Sequence, residues 1–263
     1  MARNGLKNVM RLVDEMVQEV PVQDSFLHDL QRSIEMTDKA NARKPSQTFK
    51  PSGMNCIRQS YYEITAADRD DDENGNCIIG ICESGTDRHE RLQKAVASMK
   101  DMGIDCEYVD VAQFVKDRNL TDLDIVSQQG METKLYNQKY NISFLCDGII
   151  FYKGQYYILV IKTESSYKWM ARNSVDPAHY NQATAYSLSF GINQVIFLYE
   201  NRDNCTKKTY LFEVTGDMKQ ALIGYMENCN EYIKQHKAPP KPADVSRKTC
   251  DYCKYKGQCR KDA

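Results

Sequence analysis

Apolar residues recur at helical spacing from the start of the chain. Leu6, Val9, Met10, Val13, Met16, Val17 and Val20 share one face and predict an amphipathic helix over 5–20. A second helix is expected over 24–36, with Asp24 as its N-cap and Phe26, Leu27, Leu30 and Ile34 on one face. Residues 37–53 carry Pro45, Pro51 and Gly53 among polar residues and read as a connector, followed by a short helix around 56–65. A helix from about 84 to 102 carries His89. Beyond it the pattern turns β-rich, with strands expected near 106–111, 131–138, 142–152, 155–164, 194–200 and 208–214. A helical region at about 176–190, opened by Pro177, separates the fourth and fifth of these. A long helix near 215–236 leads into the Pro-rich stretch APPKPAD and a cysteine-bearing tail. Strands flanked by helices on both sides of a central hairpin predict an α/β fold with a mixed sheet rather than a barrel. No internal repeat is visible. Three regions are expected: an N-terminal helical region over 1–52, a core over 53–240 and a tail over 241–263.

Composition narrows the class. A chain of 263 residues, 41% hydrophobic and 27% charged, has the balance of a soluble globular protein that buries a sizeable core. No segment approaches the roughly 20 apolar residues of a membrane span. The opening MARNGLKNVMRLVDEM lacks the apolar run of a secretory signal, so a cytoplasmic protein is expected. The net charge of −1 neither demands nor excludes nucleic acid, but its distribution is uneven. Acids cluster over Asp68–Glu73, and a basic excess between Lys234 and Lys261 could meet a phosphate backbone. Asp70, Asp72, Asn74 and Gly75 imitate the start of a calcium loop, yet its twelfth position is Ile81, which excludes that reading.

Ten cysteines in a chain without an export signal argue for metal binding by any clustered subset. Cys77, Cys82, Cys106, Cys146, Cys205 and Cys229 are scattered and expected to be buried as small apolar side chains. Cys250, Cys253 and Cys259 form C-x2-C-x5-C, one thiolate short of a tetrahedral site, and Cys56 in GMNCIRQSYYEI is the candidate fourth. Spacing alone leaves zinc and an iron–sulfur cluster both open.

The chemistry centres on CDGIIFYKGQYYILVIKTES. Asp147 ends or interrupts a strand, a Lys-Gly turn follows, and the next strand is apolar up to Lys162. An acid and a lysine on adjacent strands can meet at one point of a sheet, as metal-dependent phosphodiester hydrolysis requires. There carboxylates hold Mg²⁺ or Mn²⁺ and a lysine orients the attacking water. His89 lies upstream in GTDRHERL, and Gln182 and Tyr186 in HYNQATAY share a helix face four residues apart.

The order Cys, G-x-x-x-H, Asp-Gly, x-x-Lys, Gln-x-x-x-Tyr and C-x2-C-x5-C, over roughly residues 53 to 260, resembles the RecB-like iron–sulfur branch of the PD-(D/E)XK nuclease superfamily. That branch includes CRISPR-associated RecB-like nucleases, the AddB-type nuclease domain and phage relatives. The resemblance implies a restriction-endonuclease-like mixed sheet flanked by helices, with N-terminal helices and a C-terminal iron–sulfur clasp. His89, Asp147 and the Ile161 carbonyl would bind Mg²⁺ or Mn²⁺, Lys162 would position water, and Gln182 and Tyr186 would line the site. Cys56, Cys250, Cys253 and Cys259 would bind a [4Fe–4S] cluster. The implied activity is an exonuclease on DNA, single-stranded or with free ends, in recombination, repair or spacer processing. Recombination or CRISPR adaptation proteins would be its partners.

One position departs from the pattern. Two residues before Lys162 the family carries Glu or Asp, and this chain has Val160. Three readings follow. The carboxylate has moved: Glu164 shares the strand face of Lys162, and Glu132 and Glu90 are further sources. Or the site is disabled and the chain is a DNA-binding adaptor on a nuclease fold. Or Asp147 and His89 hold one metal weakly and support slow cleavage.

Overall fold

A computed structural model describes residues 21–40, 44–70 and 75–262. It divides into two compact units, residues 1–42 with 74–80 and residues 43–73 with 81–263. In the first lies helix α1 (Val22–Ala40), which starts two residues ahead of the expected cap and places Asp24 in its first turn. The helix expected over 5–20 lies outside the described residues, as does most of the acidic turn.

In the larger unit, α2 (Ile57–Ile64) starts just after Cys56, whose side chain makes no capping bond, and α3 (Gly75–Ala97), whose residues from Ile81 onward belong to this unit, is the long helix that carries His89. Strand β1 (Cys106–Val109) follows, then α4 (Val111–Asp117), whose N-terminus is closed by Asp110 accepting from the Gln113 amide at 2.7 Å. Strands β2 (Leu123–Gln129), β3 (Glu132–Asn137), β4 (Ile142–Cys146), β5 (Gly148–Tyr152) and β6 (Gln155–Glu164) come next. After α5 (Ser166–Ala171), Pro177–His179 forms a 3-10 turn capped by Asp176 and leads into α6 (Tyr180–Phe190). Strands β7 (Gln194–Asn201) and β8 (Lys207–Glu213) precede α7 (Gly216–Lys234), and the tail holds two short helices, α8 (Arg247–Asp251) and α9 (Lys256–Lys261).

The strand expected over 142–152 is two strands in two sheets. β2, β3 and β4 form an antiparallel three-stranded sheet, whereas the order β1-β5-β6-β7-β8 forms the mixed main sheet. Asp147 is the single residue between them. The β5–β6 hairpin turns through Lys153 and Gly154, both at positive φ, as a two-residue turn with this twist requires. The β6–β7 pair is parallel and is connected through α6, which is what makes the sheet mixed.

Alternation along β6 gives the sheet two buried faces. Leu159 and Ile161 pack with Leu92, Ile150 and Leu198, and Val96 of α3 covers them. Ile158 and Val160 belong to the other layer, with Ala183, Tyr186 and Phe190 of α6 and Leu222 and Met226 of α7. Phe144 of β4 stacks on Tyr186 at 4.8 Å between ring centroids, so the small sheet continues this layer. With both faces covered, β6 reads as an unbroken apolar run rather than an alternating one.

The tail returns to α2. The Tyr62 hydroxyl donates to Asp262 at 2.7 Å, the Gly257 amide to Asp70 at 2.6 Å, and the Tyr255 hydroxyl to Glu63. Glu63 also receives Lys50, Arg69 and the Ser46 amide. Burial works against its charge, but these donors outweigh it and hold the carboxyl at about 2. Among the described residues, no helix is long and apolar enough to cross a membrane.

Candidate active site

Asp147 is the pivot of the site. Its Oδ2 accepts from the Ile161 amide of β6 at 2.8 Å, and its backbone carbonyl accepts from Gln93 Nε2 of α3 at 2.6 Å and from the Tyr108 hydroxyl of β1. Gly148 is required next: a Cβ there would stand 2.7 Å from the Tyr108 ring. His89 approaches from α3, with Nδ1 3.3 Å from Asp147 Oδ1.

Glu132 arrives from β3. The β3–β4 register pairs Thr133 with Cys146, so one further step sets Glu132 opposite Asp147. One ligand atom each from His89, Glu132 and Asp147 lie within 4.8 Å of one another, a spacing that suits a single metal ion. Burial and the neighbouring Asp147 charge push the Glu132 carboxyl above its ordinary range, and His89 opposes them.

Lys162 reaches the same point from the α6 side of β6. Its Nζ donates to Gln182 Oε1 at 2.7 Å, Gln182 Nε2 donates to the Tyr186 hydroxyl at 2.8 Å, and that hydroxyl donates to the Leu145 carbonyl at 2.8 Å. The chain of hydrogen bonds ends two residues before Asp147. Burial lowers the Lys162 pKa while Asp147 pulls it back up. Burial, with the Asp147 charge adding to it, raises the Tyr186 hydroxyl well above its ordinary value, so it stays protonated and serves as a fixed donor.

Of the residues singled out in the sequence, His89, Asp147, Lys162, Gln182 and Tyr186 are thus brought together, with the Ile161 peptide beside Asp147. Two sources offered for the missing carboxylate are placed elsewhere. Glu164 does share the strand face of Lys162, but both of its oxygens are taken by Arg172, each at 2.6 Å. Glu90 pairs with Lys94 at 2.6 Å on the exposed side of α3. Val160 itself is fully buried in the apolar layer and offers no donor atom.

The cysteines form a second group. Cys56, Cys250, Cys253 and Cys259 line one cavity of about 410 Å³ together with Arg58, Tyr62 and Lys241. Arg58 Nη1 lies 3.6 Å from Cys259 Sγ, and the Tyr255 amide donates to Cys253 Sγ at 3.5 Å. Burial raises the thiols of Cys56 and Cys253, so a metal taken up there must displace protons. Of the other cysteines, Cys106, Cys146 and Cys229 are buried as expected. Cys82, on α3, and Cys205, in the loop between β7 and β8, are exposed instead.

No protein-family model matches the chain, and no curated protein matches it. Among solved structures, that of SSO0001 covers 90% of this chain and 98% of its own at 15% identity, with a TM-score of 0.49. An alkaline exonuclease (LHK-Exo) from Laribacter hongkongensis covers 73% of this chain and 90% of its own at 9% identity, with a TM-score of 0.45. The same exonuclease in complex with dAMP gives 11% identity and a TM-score of 0.44 over 72% of this chain and 89% of its own. At this level of overlap and identity, none of these likenesses assigns an activity to the chain.

Proposed function

We propose that the chain is a metal-dependent deoxyribonuclease that hydrolyses phosphodiester bonds at DNA ends. The observation that supports it most is the meeting of His89 and Asp147 at a metal-sized point beside Lys162. A divalent ion bound there would polarise the scissile phosphate and acidify a water molecule. Asp147 would hold the ion with one oxygen fixed by the Ile161 amide, so little reorganisation is needed on binding. The Ile161 carbonyl would be a further ligand, as the sequence resemblance implies. Lys162, aimed by Gln182 and with a pKa lowered by burial, would orient the attacking water and hold its proton at Nζ. Gln182 and Tyr186, rigidly bonded to each other, would fix that aim and line the path of the strand.

The four cysteines would hold a [4Fe–4S] cluster that fastens the tail to α2. The Arg58 guanidinium sits against Cys259, and among the described residues its buried Nε has no hydrogen-bond partner, a donor that cluster sulfide could satisfy. Such a protein would work in the cytoplasm, where thiols stay reduced.

A second reading, a silent DNA-binding adaptor, is favoured by Val160 alone. Anaerobically purified protein with Mn²⁺ and end-labelled linear single-stranded DNA separates the two. Cleavage that disappears in Lys162→Ala supports the nuclease. Retained DNA binding with no cleavage, with or without Mn²⁺, supports the adaptor.

A further inference from the structure

The carboxylate missing from Val160 has a structural counterpart on a different strand. In β3, Thr133, Leu135 and Asn137 are buried toward the core and Lys134 is exposed, so Glu132 belongs to the outer face of the small sheet. On β4, Phe144 and Cys146 face the core and Leu145 is 41% exposed, so Asp147 follows on the same outer face as Glu132. Two acids directly across a strand pair repel each other and destabilise a sheet unless something positive joins them.

The other inward-lying acids of this unit each have such a partner. Glu164 has Arg172, Glu200 has Arg88, Arg91 and Lys207, and Glu63 has Lys50 and Arg69. Glu132 is half-buried, and no hydrogen bond or ion pair reaches its carboxylate among the described residues. A carboxylate that is partly desolvated, faces a second carboxylate and has only the His89 imidazole near it, with no lysine or arginine paired to it among the described residues, is placed as a cation ligand would be.

We infer that Glu132 has taken over the ligand role lost at Val160, so that a divalent cation is gripped by His89 of α3, Asp147 at the β4–β5 junction and Glu132 of β3. This deepens the nuclease reading and rests on it. The consequence is structural as well as chemical. A ligand at position 160 would come from the main sheet, whereas Glu132 comes from the small one, so the ion would tie the two sheets together at the corner where Asp147 joins them. Metal occupancy should therefore stiffen the β2–β3–β4 sheet, an effect that a ligand set confined to the main sheet would not have.

The test uses the full chain with Mn²⁺ as the probe. Mn²⁺ affinity is read by titration calorimetry or the loss of free-ion EPR signal, and thermal unfolding is followed with and without Mn²⁺. Glu132→Gln and Asp147→Asn are compared with the unaltered chain. We expect Glu132→Gln to weaken Mn²⁺ at least tenfold and to lose most of the Mn²⁺-induced rise in Tm. In metal-free buffer the same variant should melt higher than the unaltered chain, because one member of the repelling pair is gone. Glu132→Asp, which keeps the charge on a shorter arm, should recover part of the affinity. If Asp147→Asn abolishes Mn²⁺ binding and Glu132→Gln leaves it unchanged, the nuclease site stands and the assignment of Glu132 falls. If the unaltered chain takes up no Mn²⁺ at millimolar concentration, both fall together.

Discussion

Glu164 and Glu132 face opposite fates from similar beginnings. Both stand near strand positions of the candidate site, and both are sources of a carboxylate that Val160 does not supply. Glu164 lies at the end of β6, where the chain turns into α5 and brings Arg172 back against it with two short hydrogen bonds. Arg172 is held in turn by Asp176 and by the face of Tyr199, 4.6 Å from the ring centroid. Glu132 has a carboxylate across from it instead of a guanidinium. The first acid is neutralised by the fold and serves structure, and the second is left for a ligand from solution. Local charge balance, more than distance along a strand, decides which carboxylate is available for chemistry.

That contrast can be broken most severely from the paired side. Arg172→Ala leaves Glu164, only 6% exposed, as an uncompensated buried charge. The expected loss is about 3–5 kcal/mol of stability in denaturant unfolding. A loss under 1 kcal/mol would mean that Glu164 finds water or another partner. The variant should move Mn²⁺ affinity far less than Glu132→Gln does.

The tail clasp offers a pH test of the same logic. Glu63 titrates at about 2 in the folded chain, below its ordinary value. Its contribution is therefore fully present above about pH 4.5 and is lost as pH falls toward 2. Unfolding measured across that window should show a steep loss of stability that Glu63→Gln flattens. An equally steep slope in the variant would assign acid sensitivity to other carboxylates.

Gly148→Ala probes the hinge between the sheets. Its new methyl group meets the Tyr108 ring, which also bonds the Asp147 carbonyl, so relief must displace one or the other. An overpacking cost of about 1–3 kcal/mol is expected, together with weaker Mn²⁺ binding as Asp147 shifts. Unchanged affinity would show that the carboxylate position is set by the Ile161 amide alone.

The smallest effect belongs to Tyr186→Phe. It removes the donor to the Leu145 carbonyl and the acceptor for Gln182, at a cost of about 1 kcal/mol. Mn²⁺ affinity should hold while cleavage slows, because the variant loosens the aim of Lys162 and leaves the ligands untouched.

Much of the main sheet was legible in the sequence because its signals are local. The apolar run 155–164, the Lys153-Gly154 turn and the Pro177 start all depend on neighbouring residues, and β6 matches its expected bounds. His89, Asp147, Lys162, Gln182 and Tyr186, which the structure brings together, stand in the sequence as an ordered series. What escaped is non-local. The run 142–152 reads as one strand, since periodicity shows which residues are extended and not which sheet they join. The segments that became α4 and β2 were passed over: α4 is only two turns long, and β2 is interrupted by a register shift between Ile125 and Ser127. Strand alternation placed Glu164 on the correct face but could not foresee Arg172 folding back from eight residues ahead. Glu132 was one name among several until the β3–β4 register set it across from Asp147.

The most direct test of the account is anomalous diffraction from crystals of the full chain soaked in Mn²⁺. The account predicts one strong peak between His89, Glu132 and Asp147, with oxygen and nitrogen ligands at roughly 2.1–2.3 Å. A peak coordinated by His89 and Asp147 without Glu132, or no peak at this corner of the two sheets, would contradict it.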